Sequence, residues 1–238
     1  MLETMANIAR ILGKGENEKR YLKHAQIARE GYRKLVETPK YSYDTDRQAK
    51  LVRPLYLDLL DEKQTKFAQE RLIRALDNYG WRLGTGFLSM SFILYVLSDM
   101  DIEYAYRLLE NEEMPGWLFM PKMGANTIWE SWEGSEAQGG VGSLNHYSKG
   151  AVCEWLFSEM CGIRVEENNT YTVAPKVGGS VSSASCEYNG IYGSIRSEWQ
   201  RENGKTIYRI SVPSNATARA ILPDGERVLA AGDYEFVV

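Results

Sequence analysis

HYSKGAVCEWLFSEMCGIRV, residues 146–165, changes period part-way along. Ala151, Val152, Trp155 and Leu156 recur at the three- and four-residue steps of one helix face, whereas from about Gly162 onward apolar residues alternate with polar ones. Downstream the alternation is sustained by Tyr208, Ile210 and Val212, then Ala216, Ala218, Ala220 and Leu222, then Tyr234, Phe236 and Val238. Asn203-Gly204 and Asp224-Gly225 fall between such runs as hairpin signals. Residues 163–238 therefore read as a small antiparallel β-sandwich beside an α-helical domain over residues 1–162.

The helical part announces itself by spacing. Tyr21, Ala25, Ala28, Tyr32 and Leu35 form one apolar stripe, and Ala68, Leu72, Ala75, Leu76 and Tyr79 another, each with a charged opposite face. Leu51, Leu55 and Leu59 keep the helical step around Pro54, which predicts a helix that is kinked or begins near the proline. FLSMSFILYVLSD, residues 87–99, is apolar nearly all round and predicts a surrounded helix; DIEYAYRLLEN, residues 101–111, supplies the next. The alternation of helix and loop, about seven helices in all, resembles stacked helical hairpins without a fixed repeat period.

Composition narrows the function classes. With a formal net charge of -4 and no basic run, the chain lacks the clustered cations that track phosphates, so nucleic acid is not an expected partner. No apolar stretch approaches the roughly 20 residues that cross a bilayer, and the amino terminus, with Met5, Ile8, Ala9 and Leu12 at helical spacing, has no signal-peptide pattern. A membrane partner is not expected, and localisation stays open. Cys153, Cys161 and Cys186 have neither disulfide-framework nor zinc spacing and are expected to be free, buried thiols. No P-loop, GxGxxG or GxSxG motif occurs, and no metal or cofactor is expected.

Chemistry concentrates in residues 112–145, a segment holding Trp117, Trp129 and Trp132, three of the six tryptophans. A long loop this aromatic is a poor candidate for disorder and a good one for a binding site. Indole faces suit the C–H faces of a pyranose, and carboxylates grip hydroxyls, so GANTIWESWEG, residues 124–134, reads as a sugar pocket lining. In an extended segment Glu130 and Trp132 share a face while Trp129 points away; Glu130, between bulky apolar residues, is the carboxylate expected to act from a partly desolvated place, and Glu133, before Gly134, is expected in a solvated turn. His146 opens a helix after a glycine-rich loop and can reach a ligand above the helix ends, whereas His24 lies among charged neighbours on a helix surface.

The motifs RLGTGFLSMSFILYVLSD (82–99), YAYRLLENEEMPGWLFMPKMGANTIWESWEG (104–134), SLNHYSKGAVCEWLF (143–157), YTVAPKVGG (171–179) and YGSIRSEWQ (192–200) follow one another in an order that resembles the carboxy-terminal half of bacterial α-L-rhamnosidases. The resemblance implies a mainly α fold with a β domain: part of an (α/α)6 barrel followed by the sandwich. It further implies an inverting glycoside hydrolase acting on a rhamnose-containing carbohydrate, with Glu130 as general base and Trp129, Trp132, His146 and Trp117 at the sugar; Thr85 and Gly86 match a turn at the barrel mouth, expected to be structural. An inverting enzyme also needs a general acid roughly 6.5–9.5 Å from the base. In the resembled family that acid lies amino-terminal to the matched region, so this chain is expected to be a fragment, a truncated product or a diverged descendant. Asp44, Asp46, Asp58 and Asp61 each have a capping or surface reading first. A half barrel leaves apolar inner faces for the missing half or a second copy to cover. The rival expectation is a non-catalytic carbohydrate-binding or assembly protein on the same fold.

Overall fold

Gly162 marks the change from helix to strand, and its surroundings show why a glycine stands there. Its φ is +78°, and a Cβ would lie 2.1 Å from the backbone nitrogen of Pro175. Its carbonyl accepts the Ala174 N–H at 2.9 Å, so the last helical segment is sewn directly to the end of the second strand. The computed structural model describes residues 1–134, 142–167 and 169–238. They form two compact units, Met1–Phe92 and Ile93–Val238, a division that falls within the helical part.

The first unit is built from hairpins of α1 (Leu2–Ile11) with α2 (Gly15–Leu35) and α3 (Gln48–Tyr56) with α4 (Glu62–Asn78), followed by the short α5 (Phe87–Met90). Asp61 caps α4 in a reciprocal capping box: its carboxylate accepts the Gln64 N–H at 2.8 Å while Gln64 reaches back to the Asp61 amide. The expected stripe of α4 is buried through Ala68, Leu72, Ala75 and Leu76, but Tyr79 caps the helix end and is exposed. Pro54 does not start α3. It sits in the last turn, and Leu57 N–H donates to Arg53 O at 3.0 Å as the helix closes. No side chain of α2 is fully buried, and Leu22 and Ile27 join Ile8 and Ile11 of α1 in facing outward.

In the second unit the apolar run 87–99 continues as α6 (Ile93–Met100), separated from α5 by a break at Ser91 and Phe92. The run is not surrounded throughout, because Phe87 and Leu88 are exposed. α6 pairs with α7 (Ile102–Leu109), whose N-cap Asp101 accepts the Glu103 N–H at 2.9 Å. After α8 (Phe119–Lys122), the stretch from His146 forms α9 (Tyr147–Gly150), α10 (Val152–Trp155) and a π turn, Leu156–Met160. Trp155 and Val152 are buried, as their spacing predicts, while Cys153, one step off that stripe, is exposed; Cys161 is buried and Cys186 half-buried.

Trp155 is 1% exposed, and its Nε1 donates to Ser98 Oγ at 2.9 Å. Ser98→Ala leaves that buried donor unpaired, and urea unfolding of the variant shows a loss of about 1–3 kcal/mol. A loss under about 0.5 kcal/mol, the usual scale of a surface change, contradicts the assignment.

Among the described residues, eight strands form two four-stranded sheets. One has the order β1 (Ile163–Val165), β2 (Thr170–Val173), β6 (Thr217–Leu222), β7 (Gly225–Leu229); the other runs β3 (Ser183–Gly190), β4 (Gly193–Glu202), β5 (Lys205–Val212), β8 (Gly232–Val237). Tyr171, Val173, Ala218 and Ala220 of the first meet Ile195, Ile210 and Val212 of the second in one core, which makes the sandwich. Asn203-Gly204 turns β4 into β5 with both residues at positive φ. Every pair is antiparallel except β2 with β6, which run parallel because β3–β5 intervene in the other sheet. β4 also clasps the π turn: Trp199 Nε1 donates to Met160 O at 2.8 Å and Ser197 Oγ to Cys161 O at 2.6 Å.

Candidate active site

The segment carrying GANTIWESWEG is held by long-range pairing instead of by a regular element. Ile128 O accepts the His146 N–H at 2.7 Å, Ser143 O accepts the Glu130 N–H at 2.8 Å, and the Trp129 N–H points to Met120 Sδ at 3.2 Å. The amides of Glu130 and Trp129 thus alternate as in an extended strand, and Ile128 and Glu130 pair with the chain that enters α9. Beyond Glu130 the backbone turns, with Gly134 N–H donating to Ser131 O at 3.1 Å. Strand parity therefore stops at Glu130 and does not govern Trp132.

Glu130 is exposed, not partly desolvated as its apolar neighbours suggest, because the chain turns just beyond it; its Oε2 accepts the Ser143 N–H at 2.8 Å, closing a second link between the two backbones. Trp129 and Trp132 are half-buried. Trp129 lies over Gly134, where a Cβ would come within 2.9 Å of its ring and φ is +65°. Gly134→Ala combines that clash with a left-handed backbone, and about 1–2 kcal/mol is lost in thermal or urea unfolding, with a shift of Trp129 emission. Unchanged emission shows that the ring does not depend on this glycine.

Lys149 is the group that spacing did not bring forward. It precedes Val152 by one helical step and is 6% exposed, with Nζ 3.5 Å from the centroid of the Trp132 ring. Burial pushes its amine down to about 8, opposed by the carboxylates of Glu133 and then Glu130. Glu133 is exposed in the turn, as expected, and its carboxylate, ahead of that of Glu130, favours the charged form of the Lys149 amine. The face of Trp132 under this ammonium is already occupied.

Trp117 is 3% exposed, and its Nε1 donates to Lys149 O at 3.0 Å; it forms a wall behind α9 instead of an open face. His146 caps α9, its Nδ1 accepting the Ser148 N–H at 3.3 Å and lying 2.9 Å from Ser148 Oγ. Nδ1 as acceptor puts the proton of the neutral ring on Nε2. The structure thus brings Glu130, Glu133, Trp129, Trp132, His146 and Lys149 to one pair of facing segments, with Trp117 behind them.

The remaining residues raised by sequence lie in the first unit. Thr85 is buried, with its hydroxyl 3.6 Å from Met90 Sδ, and Gly86 caps α5. Asp44 and Asp46 both bind Arg71, at 2.8 and 2.6 Å, and the Asp46 carboxyl is held below its usual range chiefly by that hydrogen bond. Asp61 is the cap of α4, and the Asp58 carbonyl accepts from Arg29 Nε at 2.9 Å. His24 is exposed on α2. Among the described residues no group of three or more His, Cys, Asp or Glu is arranged to hold a metal, and no helix is long and apolar enough to cross a membrane.

Residues 1–160 match the family described as bacterial alpha-L-rhamnosidase 6 hairpin glycosidase domain, and residues 169–236 that described as bacterial alpha-L-rhamnosidase C-terminal domain. The chain is 32% identical over 186 residues to an alpha-L-rhamnosidase of Streptomyces avermitilis, covering 75% of this chain and 18% of that protein. It is 31% identical over 227 residues to one of Formosa agariphila, covering 92% and 24%. Among solved structures, native rhamnosidase from Aspergillus terreus superposes with a TM-score of 0.90 at 28% identity, covering 100% of this chain and 29% of that one. The Streptomyces avermitilis enzyme complexed with L-rhamnose gives 0.85 at 28% identity, covering 98% and 25%. The fold is of the six-hairpin glycosidase class: part of an (α/α)6 barrel followed by a β-sandwich. The chain belongs to the bacterial α-L-rhamnosidase family, and it spans about a quarter or less of the length of these curated relatives.

Proposed function

We propose that this chain supplies the base side of an inverting α-L-rhamnosidase site, with Glu130 taking a proton from the water that attacks the anomeric carbon of a terminal rhamnosyl residue. The supporting observation is the exposed Glu130 carboxylate, fixed by the Ser143 amide beside two half-buried tryptophans and the His146 cap. Trp129, Trp132 and His146 orient the sugar, and Trp117 backs them. The general acid that protonates the aglycone oxygen comes from outside the chain, and a missing barrel half or a second copy covers the outward apolar residues of α1 and α2. We also place the boundary between barrel and sandwich domains at residues 162 and 163, within the gap between the two family matches. A binding role without catalysis is the second reading, favoured by the Glu130 carboxylate having a backbone amide as its partner.

Leaving-group chemistry makes the reading testable. 4-Nitrophenolate departs without a proton, so a site holding only the base hydrolyses 4-nitrophenyl α-L-rhamnoside while methyl α-L-rhamnoside stays intact. Release that depends on Glu130, together with rhamnose binding seen in tryptophan emission, supports the proposal. Rhamnose binding without release favours the second reading, and neither release nor binding overturns both.

A further inference from the structure

Lys149 has no part in the hydrolysis just described, yet it is buried and held at both its side chain and its backbone. It is 6% exposed, its Nζ stands 3.5 Å from the centre of the Trp132 ring, and its backbone carbonyl is tied to Trp117 Nε1 at 3.0 Å. Lysine ordinarily keeps its ammonium in water, because stripping that compact ion of solvent is costly. An indole face returns part of that cost, and the attraction grows as the pair is desolvated. The charge is therefore placed where it acts on one ring.

We propose that Lys149 is a positioning residue of this site, its ammonium pinning the Trp132 ring beside Glu130 so that loss of the proton frees the ring and weakens sugar binding. The inference rests on the reading of Glu130 and its tryptophans as a sugar site. The charged groups around the amine come from identified elements. Glu133 and Glu130 act on it from the loop, His146 opens its own helix one turn earlier, and Glu112 and Lys122, which flank the Trp117 segment, pair with each other at 3.2 Å.

The pH dependence has a defined sign. Burial lowers the amine to about 8 against the pull of Glu133 and Glu130, so the ammonium prevails below that pH and the neutral amine above it. A neutral amine has no cation–π attraction for the indole. Arginine at the same position stays charged throughout and stacks on aromatic faces.

The test is a tryptophan-emission titration of the full chain from about pH 6.5 to about pH 9.5, without sugar and with L-rhamnose. In the sugar-free chain the emission changes with a midpoint near 8, and the change is absent from Lys149→Met, Lys149→Arg and Trp132→Phe. With L-rhamnose, the dissociation constant of the unaltered chain rises about 3–10-fold across the same midpoint, the size expected for losing one such contact, while Lys149→Arg keeps its low-pH affinity. Circular dichroism verifies folding of each variant; should Lys149→Met fail to fold, Trp132→Phe, which retains the lysine, carries the comparison. A transition that persists in Lys149→Met or Trp132→Phe, or that is missing from the unaltered chain, overturns the proposal, as does rhamnose affinity that ignores pH. The intended sugar-free titration with no rhamnose binding at any pH instead overturns the sugar site and leaves the Lys149–Trp132 contact standing.

Discussion

Glu130→Gln lowers the rate of 4-nitrophenol release from 4-nitrophenyl α-L-rhamnoside about 10²–10⁴-fold, the range in which a positioned general base contributes. The amide is nearly isosteric with the carboxylate but cannot take the proton of the attacking water. Its carbonyl oxygen still accepts the Ser143 N–H, so the link between the loop and the chain entering α9 survives and the loss is one of chemistry, not of folding. The dissociation constant for L-rhamnose, read from tryptophan emission, changes only about threefold or less, because the stacking surfaces remain. A rate within about twofold of the unaltered chain removes Glu130 from the mechanism.

The second large effect concerns stability. Glu159, in the π turn, is 3% exposed and holds Lys176 Nζ at 2.6 Å on one carboxylate oxygen and Arg164 on the other. Lys176 also donates its backbone N–H to Glu159 O at 2.8 Å, so helix end, β1 and the segment after β2 meet at one carboxylate. Arg164→Met with Lys176→Met strands that charge, and urea unfolding shows a loss of about 3–5 kcal/mol, as for other buried pairs deprived of a partner. Adding Glu159→Gln removes the stranded charge and restores most of the loss. If the triple variant is no more stable than the double, packing of the two long side chains is responsible, not charge.

Much of the architecture was legible along the chain. The faces of α4 and of the α10 stretch, the switch at Gly162 and the Asn203-Gly204 hairpin follow from local spacing, because the side chains of a helix or strand meet the core at a fixed period. Glu130 was singled out by its neighbours and the order of motifs. Its setting did not follow from them: the loop has no period, and Glu130 is placed by amides of Ser143 and His146 that lie far along the chain. The same limit applies to α2, whose stripe is plain in sequence although its burial depends on what other elements cover.

Lys149 illustrates the division most clearly. In HYSKGAV a lysine one helical step from Val152 reads as a surface cation, and only the fold brings an indole from the loop over its amine and a second indole to its carbonyl. The parallel pairing of β2 with β6 has the same origin, since a strand's alternation specifies its faces but not its neighbour. By itself the sequence determined which faces of α4 and the α10 stretch turn inward, where helix gives way to strand, and that one glutamate falls between two tryptophans along the chain. Tertiary structure decided which cation meets which ring and which strands pair, because these depend on contacts between segments that local periodicity does not relate.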